Sequence, residues 1–161
     1  MAKRKKPRKR ISLAVPAKGR LREMADRLWS LAVRNEWNHR CAVCGGTPCN
    51  AHHLLPRQWY ATRYSLLNGI ALCKSHHVFD AAISPHQNAA GWMEWLRVNR
   101  CDIHRWLEDT VADGEYREFA DTKTAAYFCG IIRSLQEYVE PEQFDRICGV
   151  KFSRWLEDND E

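Results

Sequence analysis

The chain has 161 residues and a mass of 18.8 kDa, enough for one domain with an appendage and too few for a second large core. Apolar residues make up 45% and charged residues 28%, ordinary globular usage, and no apolar run approaches the roughly 18 residues of a membrane span. The formal charge of +5 is unevenly spread, because residues 1–22 carry ten Lys and Arg and no acid, while the rest carries 15 bases against 20 acids.

Residues 1–18 read as a basic disordered arm: Lys3, Arg4, Lys5, Lys6, Arg8, Lys9 and Arg10 repel one another around a proline and have almost nothing to bury. Such a polycation releases counterions from nucleic-acid phosphates. No apolar segment follows it, so a secretory signal is not expected and the chain is assigned to the cytoplasm. Seven Cys in a reducing compartment point to metal ligation rather than disulfides.

From residue 19 to about 37, Leu21, Met24, Leu28, Leu31 and Ala32 recur at spacings of three and four, the stripe of an amphipathic packing helix. The segment CAVCGGTPCN makes tight turns and reads as a knuckle. Short apolar runs at 51–55 and 70–73 predict two strands, with Asn68-Gly69 a turn before the second. Residues 75–83 predict a helix capped by Ser75 and ended by Ser84-Pro85. Beyond residue 84 the apolar period is helical throughout, with Trp92, Trp95, Trp106 and Trp155 assigned to the core. Residues 78–161 hold 17 acids against nine bases, a surface that repels polyanions and suits a protein partner instead. The expected organisation is an arm (1–18), a helix with a zinc-bound core (19–83) and a helical extension (84–161), an α+β chain that is mostly helical.

Four Cys and four His fall within residues 41–77. Cys41 and Cys44 form one C-x2-C pair, and Cys73 and His76 repeat the two-residue gap, which suits two knuckles closing on one tetrahedral structural Zn²⁺. Cys49 is a competing ligand. Cys101, Cys129 and Cys148, each alone on a helical apolar face, are assigned to the core, and His39 and His104 to solvent or core. His52, His53 and His77 remain, imidazoles able to ligate a second metal or to accept a proton near neutral pH.

The order CAVCG, AHHLLPR, NGIALCKSHH resembles the HNH endonucleases, the ββα-metal family, in the zinc-knuckled form common in phage and mobile-element proteins. The resemblance covers about 40 residues, from Cys41 to Asp80. It implies a small ββα-metal core, with His52 and His77 as ligands of a catalytic divalent ion, His53 as general base, and Asn68 fixing the loop between the strands. The implied ion is Mg²⁺ or Mn²⁺, with Zn²⁺ and Ni²⁺ also suited to His ligands. The family usually has Cys where His76 stands, and often a further His or Asn where Ala81 stands; Asp80 or His86 can complete that coordination. Arg57 and Arg63 are candidate phosphate contacts, Arg57 being alternatively an ion-pair partner of the C-terminal helices. The implied activity is metal-dependent hydrolysis of DNA. The alternative is a zinc-stabilised nucleic-acid-binding module of a phage recombination or packaging assembly that cleaves nothing, and a third reading is an interaction protein whose acidic half docks a partner.

Overall fold

A computed structural model describes residues 15–117 and 123–159. The chain is mostly helical, with one small two-stranded antiparallel sheet. The basic residues Lys3 to Arg10 lie outside the described residues. Helix α1 (Lys18–Glu36) buries Leu21, Met24, Ala25, Leu28, Trp29, Leu31, Ala32 and Val33, the stripe its period predicts with the aromatic ring added. After the knuckle, β1 (Cys49–His53) and β2 (Gly69–Cys73) pair antiparallel, with Cys49 opposite Cys73 and His53 opposite Gly69.

Asn68-Gly69 does not make a two-residue turn. Asn68 ends a 3₁₀ turn, and Gly69 starts β2 with extended dihedrals (φ −121°, ψ 135°). Glycine is needed there for close approach: a Cβ would overlap Val33 and reach within 3.0 Å of Trp29, so the sheet rests directly on α1.

The helix expected over residues 75–83 is shorter and wider than its sequence suggests. Only Ser75–Phe79 is helical, as a single π-turn, and the Ser75 side chain caps nothing. The remaining helices are α2 (Ala89–Asn99), α3 (Cys101–Asp113), α4 (Ala125–Gln136), α5 (Pro141–Cys148) and α6 (Val150–Asp158). The last two occupy one continuous helical period in the sequence, which Gly149 breaks by adopting φ 86°.

Two apolar clusters hold these elements. In one, α1 packs against α4, α5 and α6 through Leu28, Phe128, Ile132, Phe144 and Phe152. In the other, Ile70 and Leu72 of β2 meet Cys41, Trp92, Leu96, Ile103 and Leu107. Trp95, Trp106 and Trp155 are partly buried against these clusters, as expected of core aromatics. Cys129 and Cys148 are buried; Cys101, assigned to the core, is exposed, because it opens α3 just after the break at Arg100 and faces away from Ile103 and Leu107. No described helix is long and apolar enough to cross a membrane.

Candidate metal centre and active site

Two groups of potential metal ligands occur among the described residues. The first is Cys41, Cys44, Cys73 and His76, whose ligand atoms all lie within 4.8 Å of one another. The knuckle places the first two: Gly45 takes φ 68°, its N–H donates to the Cys41 carbonyl at 2.8 Å, and the Cys41 N–H donates to the Gly46 carbonyl at 2.9 Å. The end of β2 and the π-turn supply the other two. The separations are 3.9 Å between the Cys44 and Cys73 sulfurs, 3.6 Å from Cys41 Sγ to His76 Nδ1, and 3.2 Å from Cys73 Sγ to the same nitrogen. A tetrahedral ion with metal–sulfur bonds of about 2.3 Å and metal–nitrogen bonds of about 2.0 Å requires ligand edges of about 3.5–3.8 Å. The set therefore fits Zn²⁺, with His76 as its one nitrogen donor.

Of these thiols, Cys41 is the one shifted toward the thiolate that such an ion requires. Burial raises the Cys41 pKa, but backbone N–H groups of Cys73, Cys44 and Val43 and the His76 ring outweigh it and bring the thiol down to about 6. Asp80 is no ligand. Its Oδ1 accepts the Ala82 and Ile83 N–H groups, which hold the carboxyl below its ordinary pKa, and Oδ2 lies 3.8 Å from His76 Nε2. Cys49 is buried in β1 outside the four-residue group.

The second group is His52, His77 and His86. His52 Nδ1 lies 2.9 Å from His77 Nε2, and His86 Nε2 lies 3.3 Å from the same atom. Metal–nitrogen bonds of about 2.1 Å at angles between octahedral and tetrahedral require about 3.0–3.4 Å between nitrogens, so three imidazoles here can share one ion. His76 and His77 diverge along the π-turn and serve different groups, as neighbours on a helix should. Of the two candidates for the last ligand it is His86 that converges. Its loop is tied down by buried Ser84, whose hydroxyl donates to the His77 carbonyl at 2.8 Å and accepts the His86 N–H at 3.2 Å. Burial and the neighbouring rings depress the pKa of His52 to about 3 and lower that of His77, so these rings keep free lone pairs at neutral pH.

His53 stands beside this group without joining it. Alternation on a strand would send His52 and His53 to opposite faces, but β1 ends at His53 and both rings line one open cleft with Asp26, Trp29, Ser30, Arg57, His77 and His86. His53 Nε2 donates to the Arg63 carbonyl at 2.9 Å. A carbonyl accepts only, so this bond fixes the tautomer with the proton on Nε2 and the lone pair on Nδ1. Burial lowers the His53 pKa to about 4, keeping the ring neutral.

Asn68 is fully buried and fastens the loop that carries this carbonyl. Its Oδ1 accepts the Leu55 N–H at 2.6 Å, while Nδ2 donates to the carbonyls of Thr62 (3.1 Å) and Leu55 (3.4 Å). Asn68→Ala leaves these backbone groups buried and unpartnered. A loss of about 3 kcal/mol in unfolding free energy is expected, read by urea titration at unchanged zinc content; a loss below about 0.5 kcal/mol would mean that the amide is not holding the loop.

Arg63, expected at a phosphate, is turned inward. Its guanidinium is buried, bonds Asp26 bidentately (2.8 and 2.8 Å from Nη2, 3.0 Å from Nε) and donates to the Arg57 carbonyl. Tyr64 donates its hydroxyl to the same carboxylate at 3.0 Å. Arg57 does not reach the C-terminal helices: its side chain is 62% exposed and lies 3.5 Å from Asp26 at the rim of the cleft. The Trp29 ring over His53 is the part that spacing did not foretell. His39 is exposed, and His104 is partly buried beside Glu108 at 3.3 Å.

Comparison with protein-family models, with curated proteins and with solved structures finds no match.

Proposed function

We propose that this chain is a metal-dependent endonuclease of the HNH, ββα-metal kind that hydrolyses DNA phosphodiester bonds. The observation that carries the reading is a neutral imidazole whose proton is pinned to Nε2 by a backbone carbonyl, set beside three other imidazoles that converge on one point. A module that only binds nucleic acid has no chemical use for an unligated base there.

In this mechanism His53 Nδ1 takes the proton of the attacking water, the Arg63 carbonyl holding the ring in the required tautomer. His52, His77 and His86 would hold a divalent ion, which would supply stabilisation of charge on the phosphate and the departing oxygen. Arg57, exposed at the rim, contacts a neighbouring phosphate, and the basic residues Lys3 to Arg10 add sequence-independent affinity. Cys41, Cys44, Cys73 and His76 would hold a zinc ion as scaffold, which would tie the π-turn to the end of β2 and so support His77 opposite His52. By the resemblance, products carry 5′-phosphate and 3′-hydroxyl ends.

A donor set of imidazoles without a carboxylate ranks borderline ions above hard ones, so Zn²⁺ or Ni²⁺ is favoured, with Mn²⁺ below them and Mg²⁺, which prefers oxygen ligands, last. Purified zinc-loaded protein is expected to nick supercoiled plasmid on addition of Mn²⁺ or Ni²⁺, with a weaker response to Mg²⁺. Salt-dependent retention of DNA with no nicked product under any of these ions would support the non-cleaving binding module instead.

A further inference from the structure

The bond from His53 Nε2 to the Arg63 carbonyl fixes one nitrogen but leaves the imidazole free to swing about that contact. The second restraint comes from outside the strands and the π-turn. The Trp29 indole, on α1, lies flat on the His53 ring, with centroids 3.5 Å apart and planes inclined by 15°. The indole is itself immobile. It is 2% exposed, its Nε1 donates to the Ser65 carbonyl at 2.9 Å, and β2 passes close enough at Gly69 to exclude even a methyl group. Three residues earlier on the same helix, Asp26 holds Arg63 bidentately, so α1 governs both the face of the ring and the carbonyl that the ring addresses.

We propose that Trp29 is a positioning residue: its indole face sets the plane of the His53 imidazole and thereby aims Nδ1 into the cleft. A hydrogen bond at one ring edge and a rigid surface against one ring face together remove the rotations that either restraint alone would permit. The role rests on the reading of His53 as the base, since only a reacting nitrogen needs its direction fixed. It goes beyond that reading by placing part of the site on the N-terminal helix.

The test compares wild type, Trp29→Phe and Trp29→Leu as full-length zinc-loaded chains. Trp29→Leu is expected to lower kcat for plasmid nicking by about 10- to 100-fold at unchanged KM for DNA and unchanged zinc content. Trp29→Phe, which keeps a flat face without the Nε1 donor, restores most of that loss. The His53 ring protons provide an independent signature by NMR: the indole ring current moves them upfield in wild type, less so in Trp29→Phe, and not in Trp29→Leu. An unchanged kcat in Trp29→Leu, or an equal loss in Trp29→Phe and Trp29→Leu, overturns the proposal while the nuclease reading stands. Should Trp29→Leu fail to fold, His53 protons at ordinary positions in the wild type overturn it. Absence of nicking by the wild type removes the nuclease reading, and this role with it.

Discussion

His53→Ala is expected to reduce the single-turnover nicking rate by about 10²- to 10⁴-fold, the range that a positioned general base supplies, with zinc content and thermal transition preserved. The ring makes one hydrogen bond, to a loop carbonyl that Asn68 already fastens from Thr62 and Leu55, so the loop does not depend on His53 for its shape. Nor does the ring belong to either convergent group of ligands, so its removal leaves both sets of donors complete. This separation makes the variant informative. His52→Ala or His77→Ala would abolish cleavage by removing a donor to the ion, and neither would tell a base from a ligand. With His53→Ala, divalent-ion binding measured by calorimetry stays within about twofold of wild type while the rate collapses. A mutant that cleaves as fast as wild type removes His53 from the chemistry and leaves water activation to another group.

How much of this site was legible before folding depends on how far apart its parts lie in the chain. The two C-x2-C-like gaps are local, and each needs only one turn to bring its donors together, so spacing suggests Cys41, Cys44, Cys73 and His76 as a set while leaving Cys49 as a competitor. The α1 stripe and the two strands were equally open to periodicity. The His53–Trp29 stack was not, because it joins positions 24 residues apart across a sheet-on-helix contact that only Gly69 permits. Spacing left both Asp80 and His86 as candidates beside His77; what brings His86 in is Ser84, which folds the loop back on His77. Arg63 looked like a free base in a basic stretch, but its nearest acid, Asp26, is 37 positions away on α1 and claims it. The π-turn had a further disguise: its composition suits an ordinary helix, and its extent is bounded by the end of β2 at Cys73 and by Asp80, whose carboxylate caps the next turn.

Removing the zinc is expected to affect the two apolar clusters unequally. The knuckle buries Cys41 and, where it enters β1, Cys49, with Ala42 and Val43 only partly covered, so a bound ion rather than packing would hold its turn shut. Metal binding of this type contributes about 10 kcal/mol or more in isolated zinc fingers, and part of that supports folding here. Cys41 is also a wall of the cluster formed by Ile70, Leu72, Trp92 and Leu96, so loss of the ion loosens α2 and α3 against the sheet. The cluster of α1 with α4, α5 and α6 contains none of the four ligands and keeps its helices. Treatment with a strong chelator should therefore split the thermal unfolding seen by circular dichroism. An early transition appears while much of the helical signal persists to a higher temperature, and readdition of Zn²⁺ restores a single transition. Cys44→Ser produces the same split without chelator, because Cys44 is exposed and its replacement costs little except a metal bond. Nicking disappears at the early transition rather than the late one, since His76 and His77 are consecutive and a π-turn released from zinc no longer holds His77 within 2.9 Å of His52. Identical melting curves with and without zinc, together with full activity of Cys44→Ser, would show that packing alone closes the knuckle and that the four ligands have no structural task.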